Sequence, residues 1–408
     1  MSQGEDQLGL PLDGIRVADF SRLLPGPWCA QFLSDLGASV IKVEIPGTGD
    51  MSRHNPPRFG DTSVYFNSVN GGKRGMTLDM TLPEGREIAH RQIETSDVVI
   101  ESFRPGVAKK LGIDYETVKH VNDRAIYCSI TGFGQDGPLA HISGHDLAIQ
   151  SLAGFMTLGT PDGDVPQVPG FQAADYAGAA LACIGILSGL MSRGQHGKGC
   201  NIDLSMFDSL LAMCNITLTG AMAKAAGDAN PSLIEAWGGN PRYANYATRD
   251  GKAVAVALLE TRLWRGFCDA IGRPDLVDDD ESPDARHSDH GERAVEYRAA
   301  ISDYCLSKDR DELIDEMVRH GVPLCPIYTP EEAMGSEIVQ ARGLIEYVEN
   351  PQGLRIPRIV NPLIKSGLVR KTRAPAPALG ADGDAILSEL GFDGADLSRF
   401  ANAGIISS

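Results

Sequence analysis

A chain of 408 residues is too long for one ordinary core and implies about two domains. Its 42% hydrophobic and 22% charged residues are the balance of a folded globular protein, which excludes disorder across its length. The formal charge of −17 argues against non-specific attraction to nucleic acid or to a membrane surface. It leaves phosphorylated small molecules open, because local donors and helix ends hold those.

MSQGEDQLGLPLDG lacks a basic region followed by an apolar run, so no signal peptide is expected at the N-terminus. IRVADF (15–20) reads as a buried strand. A helix opening at Pro27 runs to Asp35, Gly37 ends it, and SVIKVEI (39–45) is the next strand. That βαβ unit implies a parallel sheet with a right-handed crossover. DVVIESF (97–103) and AIYCSIT (125–131) continue the pattern, with helical segments 84–95 and 115–121 between. The early part is therefore expected to be an α/β, Rossmann-like layer structure. Ala177 to Met191 is an apolar, Gly- and Ala-rich helix of about 15 residues, short of the roughly 20 a membrane span needs, and is expected to be buried. CNIDLSMF (200–207) is strand-like and 208–226 helical.

Turn residues around 230–241 mark a boundary, followed by the strand KAVAVALLE (252–260) and helices near 261–271, 293–307 and 309–319. The expected division is 1–229 as the first part of a large domain, 230–329 as a smaller α+β domain, and 330–408 as a return to the large domain with a C-terminal tail. Eight scattered cysteines with neither a C-x-x-C pair nor zinc-like spacing fit a reducing, cytoplasmic compartment.

Several motifs carry competing readings. Gly132, Gly134 and Gly137 match a dinucleotide-binding pattern after a strand, but Pro138 and PLAHISGHD read as a loop where that fold needs a helix. Asp278–Glu281 is a solvated acidic loop before it is a metal site, and no metal is expected. Met206, Met213 and Met222 are read as core before acyl surface. Lys42, Lys73, Arg74 and Arg104 sit at strand ends or turns; singly each is a surface cation, but their shared place at the sheet edge suits a phosphate or pyrophosphate. His145, Asp146, Asp175 and Glu260 stand at helix starts, where a cap is the ordinary reading.

These residues lie in segments that resemble the class III CoA-transferase family (CaiB/BaiF-like), and within it the α-methylacyl-CoA racemase branch. The likeness runs from LPLDGIRVADFSRLLPGPWCAQFLSDLGASVIKVEIPG through NGGKRGMTLDM, ESFRPGVAKKLGIDYE, ITGFGQDGP, SGHDLAIQ, ADYAG and GKGCNIDLSMFD to VPLCPIYTPEEA. It implies a discontinuous Rossmann-like large domain, a smaller domain and a homodimer of interlocked rings. It also implies an acyl-CoA substrate, with coenzyme A as part of that substrate and no prosthetic group, and a place in lipid metabolism.

Two chemistries in the family share the residue matching Asp175. In transferases it is the nucleophile that attacks a thioester and passes through a mixed anhydride to an aspartyl-CoA thioester. In racemases it is an acid/base partnered by a histidine and a glutamate, matched here by His145 and Glu260. Inversion beside a thioester needs an acid and a base on opposite faces and donors for the enolate oxygen. With all three residues present, the resemblance implies a racemase of 2-methyl-branched acyl-CoA. The alternative is CoA transfer between carboxylic acids through Asp175, and a third reading is a non-catalytic acyl-CoA binding protein. Lys42, Lys73, Arg74 and Arg104 are expected at the CoA. Ile45, where racemases often carry a basic residue, and the long segment 47–67 lean towards the transferase branch.

Overall fold

The computed structural model describes residues 9–154, 156–157, 164–227, 238–350 and 353–407. Contacts group them into two compact units. One takes the described parts of Met1–Ala153, Val168–Met213 and Ile338–Ser408; the other takes those of Gly154–Gln167 and Cys214–Glu337. The lines fall at 214 and 338, where the sequence reading drew 230 and 330.

In the first unit the strands are β1 (Arg16–Asp19), β2 (Ser39–Glu44), the hairpin β3–β4 (Arg58–Phe59 and Thr62–Ser63), β5 (Arg74–Thr77), β6 (Val98–Glu101), β7 (Ile126–Thr131) and β8 (Cys200–Ser205). Excluding the hairpin, they form one sheet in the order β5-β2-β1-β6-β7-β8, parallel at every pairing. Counted along the chain that order is 3-2-1-4-5-6, the doubly wound Rossmann order, which reverses between β1 and β6. Apolar runs with no polar alternation suit this sheet, because helices cover both faces. All of β6 and β7 is buried.

The helix expected at 177–191 extends over Ala173–His196, 24 residues, and is long and apolar enough to span a bilayer. It packs instead along β7 and β8. A Cβ at Gly189 would lie 3.1 Å from Cys200 Sγ and from Ile126, so the small residues set how closely the helix approaches the sheet. The helix expected at 208–226 is two, Met206–Met213 and Asn215–Ala226, parted at Cys214, where the second unit begins. Met206 is buried as expected of a core residue, while Met213 and Met222 are exposed.

The second unit holds β9 (Tyr243–Ala247), β10 (Ala253–Ala257) and β11 (Cys325–Pro326), antiparallel in the order β11-β10-β9. Helices Thr261–Ala270, Arg293–Leu306 and Arg310–Arg319 supply Trp264, Tyr297, Ile301 and Leu313 to a core of its own. The acidic loop belongs to this unit, and its Glu281 pairs at 2.7 Å with the fully buried Arg242. The chain then adds a hairpin, β12 (Ile345–Glu349) and β13 (Arg355–Ile359), to the first unit. All eight cysteines are free thiols.

Candidate active site

The reversal between β1 and β6 leaves a crevice beyond the carboxyl ends of the strands, where ligands bind in doubly wound sheets. A cavity of about 800 Å³ occupies it. Arg22–Pro25 after β1, Ser102–Pro105 after β6, Thr131–Gly132 at the end of β7 and Met206 after β8 line it, and His145, Asp146, Gln172 and Asp175 close it.

The loop after β7 carries the three glycines of the dinucleotide-like pattern, and no helix opens there. Gly132 has another duty. A Cβ on it would come within 2.7 Å of the Gly144 Cα, and the converse holds, so two loops cross with backbone against backbone. The crossing presses Ser143–Asp146 onto the end of β7.

His145 is the N-cap residue of helix Asp146–Leu152, contributes no side-chain cap, and is exposed at the cavity. Asp146 does cap, but for a different helix. Its Oδ1 accepts from the backbone N–H groups of Ala174 (2.8 Å) and Asp175 (3.3 Å), at the start of Ala173–His196. That helix has no side-chain cap from its own N-cap residue, Gln172. Gln150 Nε2 donates to Asp146 Oδ2 at 2.6 Å and to the Phe171 carbonyl at 3.1 Å, which fixes the entering chain as well.

Asp175 is in the first turn of the long helix and only 8% exposed. Burial, and then the charge of Asp146, push its carboxyl from 3.8 up to about 7. A helix N-terminus favours a carboxylate by about 1 kcal/mol at most in ordinary settings. Here desolvation and the like charge outweigh it. The result is a carboxyl group poised at neutral pH and facing a large cavity, a perturbation typical of functional sites.

Of the expected cations, Arg104 lines this cavity and is exposed. Lys42 and Lys73 are fully buried internal counter-ions. Lys42 Nζ sits 2.9 Å from Asp50 and donates to the Ser21 carbonyl; burial opposes its charge, but Asp19, Asp50 and Glu44 raise its pKa. Lys73 Nζ is 2.9 Å from each of Asp19 Oδ2, the Pro27 carbonyl and Asn70 Oδ1. Both brace the β1 loop from beneath. Asp50 also accepts from the Leu23 N–H, holding Leu23 at φ 65°, a left-handed conformation unusual for so bulky a residue. Arg74 forms a partly exposed pair with Glu389 at 2.8 Å.

Glu260 belongs to the second unit. It is exposed and is the N-cap residue of helix Thr261–Ala270.

Sequence reasoning passed over Arg22, which lines the cavity and lies over the Phe103 ring at 4.8 Å. Its signal was a cation directly after the first strand. Asp146 was recognised only as a cap.

The profile of CoA-transferase family III matches residues 12–383. The chain is 34% identical over 393 residues to the succinate–glutarate CoA-transferase of Agrobacterium fabrum, covering 93% of this chain and 96% of that protein. It is 33% identical over 389 residues to the acetyl-CoA:oxalate CoA-transferase of Acetobacter aceti, with coverage of 93% and 95%. The crystal structure of a CAIB/BAIF family protein from Brucella suis superposes with a TM-score of 0.80 at 33% identity, covering 94% of this chain and 100% of that one.

These findings overturn the expected α-methylacyl-CoA racemase. Relatives matched over 83% to 96% of the chain are named as CoA-transferases, a succinyl-CoA:mesaconate and a formyl-CoA:oxalate enzyme included. The physical reason is that a carboxyl and an imidazole at one cavity serve nucleophilic attack as readily as proton transfer, so His145 and Asp175 do not select between them. The chain belongs to CoA-transferase family III.

Proposed function

We propose that the protein moves coenzyme A between two carboxylic acids, with Asp175 as the nucleophile. The observation that carries this reading is the buried Asp175 carboxyl, poised near neutrality in the cavity at the sheet's reversal point. Stripped of water, its ionised form is a stronger nucleophile than a solvated carboxylate.

The Asp175 carboxylate attacks the thioester carbon of the donor; the C–S bond breaks, leaving a mixed anhydride and the CoA thiolate. The thiolate then attacks the Asp175 acyl carbon and releases the donor's carboxylate, which leaves CoA as a thioester of Asp175. The acceptor carboxylate attacks that thioester, expelling the thiolate and forming a second anhydride. Attack of the thiolate on the acceptor's acyl carbon gives the new acyl-CoA and returns the Asp175 carboxylate. Atoms and charge balance with no added reductant or metal.

His145, lining the same cavity, is assigned as a donor to the oxyanions that develop in these steps. Arg104 and Arg22 are assigned to the CoA phosphates. Lys42 and Lys73 hold the loop that carries Arg22, and Arg74 braces the edge strand. Glu260 receives no step, since its partnership with His145 belonged to proton transfer. The assembly proposed is the interlocked homodimer implied by the family resemblance, and light scattering at twice the 43.6 kDa chain mass checks it.

The test is trapping. Incubation with an acyl-CoA and no acceptor, followed by hydroxylamine, should convert Asp175 to a hydroxamate seen by peptide mass spectrometry. Turnover with Asp175 never modified would sink the reading.

A further inference from the structure

A second cavity, of about 470 Å³, lies in the same unit and shares Leu24, Tyr65 and Gln172 with the cavity of Asp175. Its volume is that of a small-molecule site. Tyr176, the residue after Asp175, forms one wall. Its ring meets Trp28 edge-on at 5.1 Å between centroids and Phe32 at 6.2 Å, giving three aromatic faces in mutual contact. Val64 and Val69 complete an apolar lining.

The cations at its far end are already paired by charge. Arg373 Nε lies 2.7 Å from Asp35, and Arg358 gives one bond to Glu346 at 3.0 Å and others to the carbonyls of Arg373 and Ala374, which leaves its buried Nε without a partner. The distal carboxylate of a short dicarboxylic acid entering here would lose its water and find both cations neutralised, with the single Arg358 Nε–H to offset that loss. An apolar body would gain about 25 cal/mol for each Å² of surface it buries.

We propose that this chamber receives the acyl body of the acid substrate, and that the preferred substrate is a monocarboxylic acid with a bulky aromatic or alicyclic body. The proposal rests on the CoA-transfer reading. The carboxyl end reaches Asp175 past Gln172 and Tyr65, while the body stacks among Trp28, Phe32 and Tyr176.

The test pairs turnover with direct binding. With acetyl-CoA as donor, kcat/KM is measured for 3-phenylpropanoate and for succinate as acceptors. In parallel, 3-phenylpropanoate is titrated against tryptophan emission, with Trp28→Phe identifying the Trp28 signal. The expected result is at least a tenfold preference for the aromatic acid and saturable quenching of Trp28. Ser68→Trp, which places a large side chain on the chamber lining, should lower the preference at least tenfold and abolish the quenching; Val64→Phe serves if Ser68→Trp fails to fold.

Transfer to succinate with no preference for the aromatic acid, or a preference unmoved by the filled variants, overturns the chamber and leaves CoA transfer standing. Saturable quenching with no transfer to any acid overturns the transfer reading, and with it the bound acid's role as acceptor. Trp28 emission that follows protein concentration and ignores the acid marks a second copy of the chain as the occupant, and overturns the proposal.

Discussion

Replacing Asp175 with asparagine should stabilise the protein and silence it. The carboxyl is raised from 3.8 to about 7 by burial and by Asp146, so the folded state holds its proton more tightly than the unfolded chain does. For a carboxyl raised on folding, native stability is greatest below the unfolded value and falls as pH climbs towards 7, after which the loss is constant. Three pKa units correspond to roughly 4 kcal/mol of lost stability at pH 8, as an order of magnitude. Asparagine keeps the shape without the charge. Asp175→Asn should therefore melt higher at pH 8, by roughly 8 °C for a unit of this size, with the gap closing at pH 4. Thermal unfolding from pH 4 to 8, with both proteins in the same buffers, measures it. An Asp175→Asn protein no more stable than the parent at pH 8, or a gap independent of pH, would refute the assignment of a strained, ionisable carboxyl. CoA transfer should be lost in that variant at every pH.

Further outcomes follow from the same geometry. Asp146→Asn keeps an acceptor for the Ala174 N–H but removes the like charge, so Asp175 should ionise at lower pH; the acid limb of the kcat/KM profile should move down, and an unmoved limb counts against the coupling. Arg104→Ala should raise KM for acyl-CoA about tenfold with a smaller change in kcat, a loss of about 1.4 kcal/mol read from initial rates at varied CoA thioester. Lys42→Met leaves Asp50 buried without its cation and should cost about 3–5 kcal/mol in denaturant unfolding. A Lys42→Met enzyme of parental stability with only a raised KM would restore Lys42 to direct CoA contact.

The layer structure was legible because β1, β2, β6 and β7 are short apolar runs separated by helical spacing, and a parallel sheet buried on both faces demands such runs. Helix ends were harder to place. Arg193 and His196 lie in the last turn of a helix whose apolar part stops near Met191, and Cys214, where the next helical stretch breaks, is neither Gly nor Pro. Asp175 was reached through the family resemblance, since a carboxyl near a helix start is ordinarily a cap. The charges of Lys42 and Lys73 were visible, but their burial was not. A lysine in or just before a strand is legible as a cation, while the Asp50 and Asp19 that neutralise them come from other segments. The racemase reading failed on a similar point, because residue identity at 145, 175 and 260 names groups and not the order in which bonds break. Ile45 and the long segment 47–67 had leaned the other way.

The capping carboxylate of Asp146 ties together two properties that mutation would otherwise alter separately. One side chain anchors the backbone that presents Asp175 and also sets the proton affinity of Asp175. A lineage adapting to more acidic surroundings has few small steps at this position, because most changes that retune the reactive group also loosen its mount. Asparagine is the exception, keeping an acceptor for both backbone hydrogens and giving up the charge and the bond from Gln150; other adaptation of the working pH range would have to enter through the surrounding apolar lining.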